Sequence, residues 1–141
     1  MEERDGSRGD ISILNEIKEK CEIPARIEII KSSMDPRLLL NIFSNLDFLY
    51  ATKTHSVIYG LRLGIPTLAI AYDKKTSDFM NDFKQNAYSI DIKDATVEYT
   101  TEVFNKLISE QEFVRKVLHD QLFIVQEEAM KNINIIGRYA K

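Results

Sequence analysis

Tryptophan is absent from this chain, cysteine occurs once, histidine twice and proline three times. The single thiol, Cys21, excludes an internal disulfide and suits a reducing compartment, so a cytoplasmic location is expected. No histidine or aspartate lies near Cys21 in sequence, which makes it a structural or surface thiol. There are no paired cysteines and no two histidines four apart on a helix, and no glycine-rich loop is present to cradle a phosphate. No metal or bound cofactor is expected. The longest apolar run, 63–72, is interrupted by Gly64 and Pro66 and is far short of the roughly 20 residues that span a bilayer. No charged-then-apolar segment opens the chain, so neither a secretory signal nor a transmembrane segment is expected. Positive charge is not in excess: the net charge is −3, which argues against a nucleic-acid partner.

What is present is an ordinary globular composition, 44% hydrophobic and 29% charged over 141 residues. That length fits one domain, able to bury roughly two-thirds of its unfolded surface. Residues 1–10 are polar and charged with two glycines and are expected to be a disordered tail, leaving 11–141 as a single α/β domain. Ile11, Leu14 and Ile17 fall at helical spacing, and Pro24 ends that helix. Residues 26–30 are β-branched and read as a strand. Asp35-Pro36 then opens a helix with Leu38, Leu39, Ile42, Phe43 and Leu46 on its buried face.

Further strands are expected over 47–51, 67–72 and 87–92, with helices over 54–63, 76–84, 100–110 and 112–136. In the last helix Phe113, Val117, Leu118, Leu122, Val125, Ala129 and Ile133 trace one stripe. The alternation predicts a Rossmann-like, mostly parallel sheet of about four strands with flanking helices.

The most informative stretch is 47–75. It reads as strand, polar elbow, helix, Gly-x-Pro turn, strand and second polar elbow. The first elbow carries Lys53 and His55, the second Lys74 and Lys75. If the two strands are parallel neighbours, both elbows share the sheet edge where α/β proteins bind ligands. Each elbow also opens a helix whose first N–H groups are unpaired and favour an anion. His55 can donate or accept a proton near neutrality. On spacing alone, a histidine facing water is the simpler reading. Lys53 and Lys75 could each hold a carboxylate or phosphate, or be solvated surface cations. Thr54 and Ser56 flank His55. Tyr72 could donate its hydroxyl into the crevice or simply pack, and Asp73 reads as a helix cap. Gly64 and Pro66 set a turn, and His119 reads as an ordinary surface residue in a long helix.

At these residues the chain resembles the polysaccharide pyruvyl transferase family. Its members show Asp, a short apolar strand, Arg-x-His-Ser, an apolar helix, Gly-x-Pro, a strand, Tyr-Asp-x-Lys and Phe-Met. Here Asp47, Lys53, His55, Ser56, Gly64, Pro66, Tyr72, Asp73, Lys75, Phe79 and Met80 match. The likeness extends over about 26–136. It implies most of the C-terminal lobe of a GT-B-like fold and transfer of the pyruvyl group of phosphoenolpyruvate to a sugar as a ketal, in cell-surface polysaccharide biosynthesis. The resemblance implies that Lys53 and His55 meet phosphoenolpyruvate; its methylene must be protonated, so His55 is the candidate acid, and Lys53, Thr54, Ser56, Tyr72 and Lys75 are the candidate substrate contacts. Lysine stands at 53 where the family has arginine, keeping the charge but losing the planar two-pronged grip.

The family's first lobe has no counterpart upstream. A missing N-terminal lobe or a second chain is therefore an expected partner beside phosphoenolpyruvate and a saccharide acceptor, and the chain alone is expected to be inactive. Two alternatives remain: a GT-B glycosyltransferase lobe binding a nucleotide sugar, and a non-catalytic remnant that binds another subunit.

Overall fold

The computed structural model describes residues 6–30 and 35–139. They fall into two compact units, 1–35 and 36–141. In the first unit, helix α1 (Gly6–Lys20) is followed by a 3₁₀ turn at Pro24–Arg26. The helix starts inside the stretch expected to be a disordered tail; residues 1–5 of that stretch lie outside the described residues. Ile13, Leu14 and Ile17 of α1 are exposed, and Glu16 pairs with Lys20 one turn on at 2.6 Å. The strand expected over 26–30 does not form. Ile27 has extended dihedrals (φ −100°, ψ 121°), but no described strand pairs with these residues. β-branched residues suit a pleated surface without supplying the neighbour that makes a strand.

The second unit holds α2 (Pro36–Ser44), β1 (Leu49–Ala51), α3 (Thr54–Arg62), β2 (Thr67–Ala71), α4 (Lys74–Asp82), β3 (Ser89–Asp91), α5 (Val97–Ser109) and α6 (Gln111–Tyr139). The sheet therefore has three strands among the described residues rather than about four. Its order is β1-β2-β3, parallel throughout. Central β2 is buried at all five positions, so both of its faces are covered. The core gathers Val57 and Leu61 of α3, Leu68 and Ile70 of β2, Met80 of α4, Ile90 of β3, Leu107 of α5 and Leu118 of α6.

Gly60 lets α3 lie close on the sheet. A Cβ there would meet the Thr67 hydroxyl oxygen at 2.5 Å and a Leu49 methyl at 2.7 Å. The helix then ends in a Schellman motif. Ile65 N–H donates to the Gly60 carbonyl and Gly64 N–H to that of Leu61, with Gly64 at φ 70°. α4 ends the same way through Gln85 and Lys84, but there a lysine occupies the left-handed position at φ 57°.

Several expected boundaries move for identifiable reasons. α4 begins at Lys74 rather than 76 because Asp73 caps it, its carboxylate accepting the Thr76 N–H at 2.8 Å. α5 begins three residues early because the Thr96 hydroxyl accepts the Tyr99 N–H. A 3₁₀ turn at Asn86–Tyr88 takes the start of the strand expected over 87–92. Within it Tyr88 is buried and donates to the Glu110 carboxylate. Burial, that hydrogen bond and the Glu110 charge push its phenol well above the usual range.

The helix faces differ too. No residue of α2 is buried: Leu38 and Leu40 are exposed, and Leu39, Ile42 and Phe43 are half-buried, while Leu46, expected on the same face, lies beyond the helix end. In α6 the buried stripe is Val114, Leu118 and Gln121, flanked by half-buried Leu122 and Val125. Phe113, Ala129 and Ile133 face outward.

Candidate functional site

Register places the chemistry. Ala51 lies beside Ala69 and Ala71 beside Asp91, so the carboxyl ends of all three parallel strands reach the same sheet edge. The elbows after β1 and β2 are therefore neighbours, and the turn after β3 lies beyond the second. This is the edge at which open α/β sheets hold ligands.

The two elbows are joined by a buried hydroxyl pair. Thr54, the first residue of α3, and Thr76, in the first turn of α4, share a hydrogen bond of 2.7 Å between their Oγ1 atoms. Both are buried, Thr76 completely. Thr54 is thus placed differently from the other expected substrate contacts, because its hydroxyl is committed to the neighbouring helix. Nothing in the local pattern marks the pair, since the two residues lie 22 positions apart.

Around this staple the elbows differ. Lys53 is the N-cap residue of α3, but its side chain makes no capping bond, and no acidic residue occupies the first turn. Lys53 and His55 are exposed and Ser56 is half-buried. The start of α3 therefore combines unsatisfied N–H groups with two potential cations. At the second elbow Asp73 fills the cap. Its carboxyl is held below the ordinary 3.8, first by the Thr76 N–H and then by the Thr76 hydroxyl. The Lys75 charge and the Thr54 hydroxyl add to this against desolvation. Lys74 pairs with Asp78 at 3.5 Å in an exposed ion pair, and Lys75 is exposed.

A cleft of ≈ 370 Å³ lies between the second elbow and the turn after β3. Tyr72 and Ile92, each the residue that follows a strand, stand on it with just over half of their surfaces exposed, 54% in both cases. The Ile92 N–H donates to the Ala71 carbonyl, which holds the two chain segments together. Ala71, Asp73, Lys74, Ser77, Asp91 and Lys93 complete the lining. Asp91 spends Oδ1 on the Lys93 N–H at 2.9 Å. Ser77, Asp91 and Lys93 were not singled out from the sequence, because nothing before folding ties the turn after β3 to the second elbow. Lys53 and His55 do not line this cleft.

His119 is exposed on α6, 3.7 Å from Asp120 and edge-on to Phe123. Among the described residues no three His, Cys, Asp or Glu side chains gather as metal ligands, and no helix is long and apolar enough to cross a membrane.

Comparison with known proteins places these elements in a family. No curated protein matches the sequence, and no solved structure matches the chain. A family model described as polysaccharide pyruvyl transferase matches residues 1–74. That span includes 1–25, for which the sequence motifs suggested no likeness. It takes in Lys53, His55, Gly64, Pro66, Tyr72 and Asp73 and stops before Lys75, Phe79 and Met80. It covers just over half of the 141 residues and includes the whole first elbow, and on that ground the chain belongs to the polysaccharide pyruvyl transferase family.

Proposed function

We propose that the first elbow is the donor site of a pyruvyl transferase acting on phosphoenolpyruvate, in the C-terminal lobe of a GT-B-like enzyme at the cytoplasmic side of polysaccharide assembly. The observation that carries this is the open start of α3. Its N-cap residue, Lys53, makes no side-chain capping bond, His55 is exposed in its first turn, and no carboxylate occupies that turn. A small polyanion suits such a place better than a neutral ligand does.

The chemistry follows from the donor. Protonating its methylene carbon makes the adjacent enol carbon electrophilic, and His55 in its imidazolium form supplies that proton. A sugar hydroxyl then attacks this carbon and loses its proton. The carbon–oxygen bond to phosphate breaks, and a second hydroxyl attacks the same carbon to close the ketal, its proton leaving with the departing phosphate. Lys53, Lys75 and the helix N–H groups hold the carboxylate and the departing phosphate, and Ser56 lies within the same turn. Thr54 acts on this site through Thr76, keeping the two elbows in register.

Thermal unfolding with and without millimolar phosphoenolpyruvate tests the proposal. The ligand should raise the midpoint of the native chain, as any ligand specific for the folded state does. The rise should shrink in His55→Ala. A cooperative transition that phosphoenolpyruvate leaves unmoved would remove the donor site from this lobe. A response to nucleotide sugars instead would favour a glycosyltransferase. Lysine at 53 supports a second reading, a lobe that works only with another chain. Copurification with that chain, together with no response to phosphoenolpyruvate alone, would favour it.

A further inference from the structure

The cleft beyond the second elbow differs in charge from the first elbow. Lys74 and Lys93 are matched on its lining by Asp73 and Asp91, so its formal charges cancel. The first elbow has Lys53 and His55 with no carboxylate in the first turn of α3. A polyanion gains nothing from leaving the first elbow for the cleft. A neutral ligand rich in hydroxyls has the opposite preference.

The walls of the cleft have the amphipathic character of such a ligand. Tyr72 and Ile92 stand on adjacent strand ends, and each leaves 54% of its surface exposed. A tyrosine ring offers an apolar face and a polar edge. A pyranose is similarly divided, with an apolar C–H face and a rim of hydroxyls. Beside this shelf lie acceptors and donors in matched supply. Asp91 keeps Oδ2 without a partner among the described residues, Ser77 contributes a hydroxyl, and Lys93 an ammonium with no ion-pair partner among them. Charged acceptors such as Asp91 make the stronger hydrogen bonds to ligand hydroxyls.

We infer that this cleft is a saccharide-binding subsite, holding the hydroxyl-bearing acceptor at the same sheet edge as the donor elbow and one elbow along, with Tyr72 and Ile92 as the platform and Asp91 as the principal hydrogen-bond acceptor. The assignment rests on the pyruvyl transferase reading, and it separates the two ligands. The anion goes to the start of α3, and the neutral sugar goes to the cleft between α4 and the turn after β3. The Thr54–Thr76 staple is the rigid connection between them.

The experiment is a nitrogen–proton NMR titration of the full chain with methyl β-galactopyranoside and methyl α-mannopyranoside, each a neutral glycoside with a 4,6-diol. A separate titration uses phosphoenolpyruvate. The glycosides should move the amides of Tyr72, Ser77, Asp91 and Lys93, and phosphoenolpyruvate those of residues 53–56. Asp91→Asn keeps the shape but loses the charge, and should weaken the glycoside response about tenfold. Tyr72→Ala should weaken it as well. Both side chains are exposed, so the folded spectrum should survive either change. If neither glycoside moves the cleft amides at about 50 mM, well above a millimolar dissociation constant, the subsite is wrong. It is also wrong if Asp91→Asn and Tyr72→Ala both leave the response intact. A glycoside response without any phosphoenolpyruvate response would sink the donor assignment and leave the subsite standing.

Discussion

The elbows after β1 and β2 are the same structural device finished in two ways. Each turns from the end of a parallel strand into a nine-residue helix, and their helices touch through Thr54 and Thr76. At the second, Asp73 supplies the capping carboxylate that a helix start favours, and the chain satisfies itself. At the first, lysine stands where a capping residue would serve stability, and the helix start is left for something else to satisfy. Two starts this similar differ in one respect: the chain satisfies the second itself and leaves the first without a side-chain cap. A residue that breaks a local rule without a compensating contact is a reasonable place to look for function.

Three changes break or sharpen this comparison. The largest effect should come from cutting the link between the elbows. Thr76→Val removes one hydroxyl and leaves that of Thr54 buried without its partner, costing about 1–3 kcal/mol. Thr54→Val/Thr76→Val together should recover much of the loss, since neither hydroxyl is then stranded. Chemical denaturation of Thr54→Val, Thr76→Val and the double variant measures the coupling, and strictly additive losses would mean that the hydroxyls do not act as a pair.

Making the first elbow resemble the second comes next. Lys53→Asp places a capping carboxylate at the start of α3 and should stabilise the chain by about 0.5–1 kcal/mol. The same change should abolish the response to phosphoenolpyruvate. A variant that is more stable and still responds would show that this helix start does not hold the donor.

The smallest effect concerns acid. The Asp73 carboxyl is lowered by its hydrogen bonds to Thr76, so the folded state binds its proton less readily than the unfolded state. Its contribution is therefore present above the ordinary value of 3.8 and is lost as pH falls through the lower folded value. Melting curves from pH 5 downward (about the onset of carboxylate titration) should show an acid-sensitive component that Asp73→Ala lacks. Solvent exposure of the carboxylate keeps this component small. Equal acid sensitivity in both proteins would show that the cap does not titrate with folding.

Much of this arrangement is legible in the residues. The continuous apolar run of β2, the Gly64 helix stop, the Asp73 cap and the alternation of strand and helix all rest on contacts within a few positions, which local pattern records. The lysines and the histidine of the elbows are visible for the same reason. The strand expected over 26–30 shows the limit: its residues suit a sheet, yet a strand exists only where another supplies its hydrogen bonds. The buried stripe of α6 shows a second limit. Val114 rather than Phe113 turns inward, and which of two neighbouring apolar residues does so is decided by the surface it meets.

The sequence by itself determined the α/β alternation, the cationic elbows and their resemblance to a pyruvyl transferase, because these depend on residue type and short-range order. Tertiary structure alone decided that Thr54 is committed to Thr76 and that α3 approaches the sheet at Gly60. It also decided that Asp91 and Lys93 share a cleft with Tyr72. Each of these depends on parallel register bringing distant segments to one edge. That register is set by the burial of β2 between its neighbours, a property of the packed sheet that no short segment carries.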